Sequence, residues 1–170
     1  VVEVAKRIAS RSRRRDPPKL TRILFASDFS PASGPTFAFA RRLAGALLAR
    51  LILFHAYESV VPAAVGAPMT ATIPPPSLVD DLWAEARRAG QRGLDRLAAV
   101  ARKDDLRVSV RLDAGAPATA IVRAARRERA GLLVVGTHGR TGLRRLVLGS
   151  VAERVVRTAP CPVVTVPASA

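Results

Sequence analysis

The residues best suited to chemistry lie in one stretch, Gly136-Thr137-His138-Gly139-Arg140-Thr141-Gly142, closed further along by Gly149-Ser150. Their types suit holding a phosphate. Glycine lets a backbone take positive φ and approach a ligand with no Cβ in the way. Hydroxyl and guanidinium groups add hydrogen bonds and charge. Gly149 and Ser150 stand where a helical pattern begins, so free N–H groups and the positive end of a helix dipole are expected to face an anion. The spacing, Gly136-x2-Gly139-x9-Gly149-Ser150, is neither the G-x-x-x-x-G-K-[ST] loop nor the dinucleotide G-x-G-x-x-G, and neither pattern occurs elsewhere in the chain. The loop holds no carboxylate, and His138 is its only titratable base, so binding with little or no turnover is expected.

A second candidate stands far away in sequence. Asp28 follows the first apolar run and precedes Ser30-Pro31, a pattern that predicts a helix N-cap with proline just inside it. A carboxylate there serves either a local turn or a ligand, and the residues alone leave both open. Other reactive types read as structural. His55 falls inside a buried strand, where a histidine is expected to be hydrogen-bonded and inert. Cys161 sits between Pro160 and Pro162 with no partner base at motif spacing, so it is not read as a nucleophile. Trp83 reads as a packing residue. The arginines at 123, 126, 127 and 129 read as a solvated helix face.

Short apolar or alternating runs between helical patterns must position these residues. The runs predict strands β1 (22–27), β2 (51–57), β3 (107–112), β4 (132–136) and β5 (162–166). Helical spacing predicts helices from Ser30 to about Arg50, from a capping-box-like Ser77 to about Lys103, from Pro117, and from Ser150 to Thr158. In the second helix Leu78, Leu82, Ala86, Ala89, Gly93, Leu97 and Val100 form the expected inward stripe. Alternating βα units imply an α/β, doubly wound domain with a five-stranded parallel sheet and helices on both faces. Right-handed crossovers give the order 3-2-1-4-5. That order sets β1 beside β4 where the winding reverses, so Asp28 and Gly136 are expected to meet at one crevice.

The glycine spacing, His138-Gly139-Arg140-Thr141-Gly142 within it and Ala159-Pro160-Cys161-Pro162-Val163 after it resemble the ATP-binding signature and C-terminal end of the universal stress protein family. The resemblance covers residues 20–167 and implies ATP bound at the β1/β4 crevice by a stress-response regulator or sensor. It implies Asp28 at the ribose or adenine end, with Ala26 and Ala56 lining the base. On the same resemblance Gly136, His138, Gly139, Gly149, Ser150 and Val151 are expected to carry phosphates and ribose, with Arg140 nearby as charge. Mg²⁺ is expected through phosphates and water, since no carboxylate cluster is visible. The resemblance also implies a homodimer through the β5 edge. Its alternative is a dimeric stress scaffold without nucleotide. Ala130-Gly131 departs from the family's usual Ala-Asp at that turn.

Length and composition bound the rest. The 170 residues suit one domain, with 20–168 as its body. Residues 1–19 carry seven basic and two acidic side chains and read as a disordered basic tail. The net charge of +15 raises nucleic acid as a partner, but aromatic content of 4% offers little stacking surface and 25 of the 28 basic residues are arginine. Nucleic-acid binding is therefore the least favoured reading. No apolar run is long enough for a membrane span, and one cysteine excludes an internal disulfide, so cytoplasm is the expected compartment.

Overall fold

The structure, a computed structural model, describes residues 20–58, 75–137 and 148–167. The expected tail, most of the proline-rich connection after β2, and His138, Gly139 and Arg140 lie outside the described residues. Five strands form one parallel sheet: β1 Arg22–Ala26, β2 Arg50–Tyr57, β3 Val108–Ala114, β4 Leu132–Gly136 and β5 Val163–Val166. Their order is β3-β2-β1-β4-β5, as the βα alternation predicts. The described helices are α1 Ser33–Ala46, α2 Pro76–Arg102, α3 Pro117–Arg127 and α4 Ser150–Thr158.

Strand alternation sorts the core into two layers. Ile23, Phe25, Leu51, Leu53 and Val134 pack with Ala40 and Ala44 of α1 and Leu94 and Ala98 of α2. Leu24, Ile52, Phe54, Leu133 and Val135 pack with Ala120, Ile121 and Ala124 of α3 and Ala152 and Val155 of α4. Each strand residue in this set is 4% exposed or less, which explains why β1, β2 and β4 read as unbroken apolar runs. Burial on that scale contributes about 1.5–3 kcal/mol per large side chain.

Helix starts and faces depart from the sequence expectation. Ser30 is not an N-cap: its hydroxyl donates to Asp28, Pro31 belongs to the preceding turn, and α1 begins at Ser33. The helix also ends at Ala46, because Leu48 takes a left-handed φ of 51° and the Ala49 N–H closes back on the Ala44 carbonyl. Leu47 and Leu48 are consequently exposed. Nor does Ser77 cap α2, which starts at Pro76 with no side-chain cap. The buried face of α2 runs through Gly90, Gly93, Leu94, Ala98 and Ala101, while Leu78, Leu82 and Val100 point outward. Small residues win that face because the helix lies close to the sheet. A Cβ at Gly90 would stand 2.9 Å from Leu112 and 3.0 Å from His55.

Arg123, Arg126, Arg127 and Arg129 are all exposed, as their helical spacing predicts, but two of them are also paired with a β3 carboxylate. Arg127 donates to Asp113 at 3.1 Å, and Arg123 pairs with the same carboxylate. Arg111 donates to Glu128 at 2.6 Å, and that bond outweighs burial to hold the Glu128 carboxyl below the usual carboxylate range. Among the described residues no helix is long and apolar enough to cross a membrane.

Candidate functional site

The sheet order brings the two separated motifs to the same end of the sheet. β1 and β4 are paired with Phe25 opposite Val134, and the register carried onward sets Ser27 level with Gly136 and Asp28 level with Thr137. Ala26 ends β1, and Ala56 is the penultimate residue of β2, just before Tyr57. Both alanines are half-buried against the α3/α4 layer. Gly136 ends β4 opposite Val166 in ordinary strand geometry, so its place does not depend on positive φ.

The base of the glycine loop is closed by backbone. The Thr137 N–H donates to the Val166 carbonyl at 2.9 Å, and the Thr137 carbonyl accepts the Gly149 N–H at 2.8 Å. Two expectations change here. Gly149 does not offer a free N–H to an anion, because that group is spent on Thr137. Its backbone angles, φ −60° and ψ 152°, also suit any residue. What requires glycine is proximity, since a Cβ would come within 3.1 Å of the Thr137 oxygen. Helix α4 then starts at Ser150 with no side-chain cap among the described residues, and its first closing bond runs from Glu153 N to Gly149 O. The N–H groups of Ser150, Val151 and Ala152 thus have no acceptor inside the helix and stand at its positive end.

On the β1 side, Ser27-Asp28-Phe29-Ser30 forms a hydrogen-bonded turn. Asp28 Oδ1 accepts from the Ser30 N–H at 3.0 Å and the Ser30 hydroxyl at 2.8 Å. Ser27 Oγ accepts the Phe29 N–H at 3.1 Å. Phe29 itself has φ 60°, a left-handed conformation that costs an ordinary residue on the order of 1–2 kcal/mol. The other left-handed non-glycine residues, Leu48, Asp105 and Arg129, all follow helix C-termini, where that geometry satisfies carbonyls. Among the described non-glycine residues Phe29 alone adopts a positive φ after a strand.

His55 explains part of this turn. It is 7% exposed, its Nδ1 lies 2.7 Å from the Ser27 carbonyl, and its ring stacks on Phe29 at 4.3 Å between centroids. A carbonyl can only accept, so Nδ1 carries the proton. This is the structural histidine expected from a buried strand. Phe29 escaped sequence reasoning, whereas its contact Gly93 lies on the expected inward stripe, where a glycine is a recognised mark of close packing. Trp83 stacks edge-on against Tyr57 at 6.2 Å, the expected packing role. Burial pushes the Cys161 thiol up, away from reactivity.

A cavity of about 460 Å³ opens at the opposite end of the sheet, lined by Thr21, Arg22, Arg126, Arg129, Gly131 and Pro160. It touches neither motif. It lies at the C-terminal end of α3, away from any helix N-terminus among the described residues, so the carboxyl end of β1 and β4 is the better site for specific chemistry. Among the described residues no cluster of three or more His, Cys, Asp or Glu could hold a metal.

Comparison with known proteins agrees with this architecture. The model of the universal stress protein family matches residues 19–167. A Thermus aquaticus relative, the universal stress protein in QAH/OAS sulfhydrylase 3′ region, is 38% identical over 146 residues, 85% of this chain and 96% of its own. Universal stress protein MJ0531 of Methanocaldococcus jannaschii is 41% identical over 80 residues, but that match spans only 47% of each chain. Among solved structures, the protein MJ0577 superposes with a TM-score of 0.70 at 22% identity, over 88% of this chain and 96% of that one. A universal stress protein in complex with cAMP superposes at 0.60 and 25% identity, over 89% and 99% of the two chains. An Arabidopsis thaliana family protein with AMP bound does so at 0.60 and 19%, over 86% and 91%. Sheet order, the two converging motifs and the match across residues 19–167 lead to one conclusion: the chain belongs to the universal stress protein family.

Proposed function

We propose that this chain binds an adenine nucleotide, ATP with Mg²⁺, at the carboxyl end of β1 and β4. The observation that carries the reading is the pairing of an α4 N-terminus with no side-chain cap among the described residues, anchored beside β4 by Thr137, with the ordered Asp28 turn beside β1. The first suits phosphate, because amide donors and the helix dipole act on the same charge. The second suits a neutral, hydroxyl-bearing group such as ribose, to which a carboxylate can only be an acceptor. Related proteins solved with cAMP and with AMP support the adenine class. Ser150 and Val151 would hold phosphate, Asp28 the adenosine end, and Ala26 and Ala56 the base, with His138, Gly139 and Arg140 completing the loop. Gly136 would bring the β4 end close to the ligand. Mg²⁺ would be carried by phosphates and water.

The role is that of a nucleotide-responsive regulator, and hydrolysis is slow or absent. We also infer a homodimer through β5, which pairs with β4 on one side while its residues remain only partly buried. The basic tail contributes nothing to nucleotide affinity in this account. Denaturing the purified protein and separating the released small molecules by chromatography tests the reading. An adenine nucleotide is expected, or heat on adding ATP if the protein purifies empty. No nucleotide and no heat at millimolar ATP would leave a dimeric scaffold.

A further inference from the structure

The turn that carries Asp28 is held from three sides. From β2, the His55 Nδ1–H donates to the Ser27 carbonyl and the ring packs on Phe29. At the start of α1, Ser33 Oγ lies 3.3 Å from Ser27 Oγ and donates to the Ser30 carbonyl at 2.8 Å. From α2, Gly93 faces the end of the Phe29 ring so closely that a Cβ there would stand 2.5 Å from Cζ and 2.7 Å from both Cε atoms. A glycine in the middle of a 27-residue helix is unfavourable unless something needs the space. Here the ring needs it.

Packing alone does not require this arrangement. Any apolar side chain in ordinary backbone geometry fills a core, and a glycine or asparagine at position 29 would take φ 60° with less strain. The chain instead keeps a bulky aromatic in the left-handed region and clears a helix to receive it. Such strain persists only where the surroundings over-determine it, and it settles where the neighbouring residues go. Phe29 has Asp28 on one side and Ser30 on the other, and Ser30 donates twice to the Asp28 carboxylate.

We infer that Phe29, Gly93 and His55 are positioning residues that fix the Asp28 carboxylate before nucleotide arrives, so that adenosine recognition depends on a glycine in α2. This role rests on the nucleotide reading above. Pre-ordering removes the entropy loss of freezing a side chain on binding, which makes the contribution visible in affinity rather than in fold.

The test compares wild type, Gly93→Ala and the double variant Gly93→Ala/Phe29→Leu, with ATP and inorganic triphosphate as probes in calorimetry. Amide exchange at Ser30, measured without ligand, reports the turn directly. Gly93→Ala is expected to weaken ATP about five- to tenfold, to leave triphosphate within about twofold and to speed Ser30 exchange. Leucine lacks the Cε and Cζ atoms that meet the new methyl group, so the double variant is expected to recover ATP affinity to within about twofold of wild type. Should Gly93→Ala fail to fold, Phe29→Gly removes both ring and strain without adding an atom and carries the same expectation for ATP, triphosphate and Ser30. Unchanged ATP affinity, equal loss of both probes, or no recovery in the double variant overturns the inference. A wild type that binds no ATP refutes the nucleotide reading and this role with it; ATP binding indifferent to Gly93 refutes this role alone.

Discussion

The Gly149 N–H donates to the Thr137 carbonyl at 2.8 Å, and this one bond joins the end of β4 to the start of α4. It brings the chain back beside the strand it left, and it sets the Ser150 and Val151 amides at a fixed place beside the crevice. The same closeness crowds any side chain at Gly149, since a Cβ would lie 3.1 Å from that carbonyl oxygen.

Gly149→Val is therefore expected to weaken ATP about a hundredfold or more, through displacement of amide donors each worth about 1.5–3 kcal/mol to a charged group. Gly149→Ala needs a shift of only a few tenths of an ångström and is expected to weaken it about tenfold. Calorimetry measures both, and circular dichroism should show the fold retained.

Asp28→Ala separates the two halves of the site. It is expected to weaken ATP and AMP about tenfold while inorganic triphosphate affinity stays within about twofold. Equal loss of all three ligands would place Asp28 in the fold rather than at the ligand.

The fold was legible because burial on both faces leaves a plain mark: β1, β2 and β4 each carry an unbroken apolar run (Ile23–Ala26, Leu51–Phe54, Leu132–Val135), and alternation with helices dictates a parallel sheet. That Asp28 and Gly136 stand at the same end of the sheet followed from strand order. Local geometry was less legible. Ser30 and Ser77 have the composition of caps, yet Ser30 is engaged by Asp28 and Ser77 sits inside the first turn of α2. The buried face of α2 follows Gly90 and Gly93 rather than Leu78 and Leu82, because close approach favours the smallest residue, which hydropathy undervalues. The strain at Phe29 has no signature in residue type at all.

Glu128 supplies a pH test that concerns stability alone. Its carboxyl is held below the ordinary 4.5, chiefly by the Arg111 hydrogen bond against the opposing pull of burial. A carboxylate with a depressed folded pKa stabilises fully above its unfolded value and loses that contribution as pH falls through the folded one. Glu128→Gln is expected to cost about 1 kcal/mol in urea unfolding near neutral pH, discounted for the half-exposed Arg111 partner. The difference from wild type should fade below about pH 4. A constant difference across that range would assign the effect to packing.

Turnover should be slow or undetectable, and His138→Ala should change it only modestly, because binding groups rather than a positioned base dominate the site. Phosphate release of several per second, abolished by that substitution, would make the protein an ATPase.

Light scattering should give a dimer at tens of micromolar, consistent with an open β5 edge. A monomer under the same conditions would contradict the dimer.

The location of the ligand is the most direct test of the whole account. In a titration of ¹⁵N-labelled protein with ATP and Mg²⁺, the amides of Asp28, Thr137, Ser150 and Val151 are expected to shift together. Those of Arg22, Arg126 and Arg129, at the opposite end of β1 and β4, should stay in place. Shifts confined to that arginine-lined end, with the Thr137 and Ser150 amides unmoved, would contradict it.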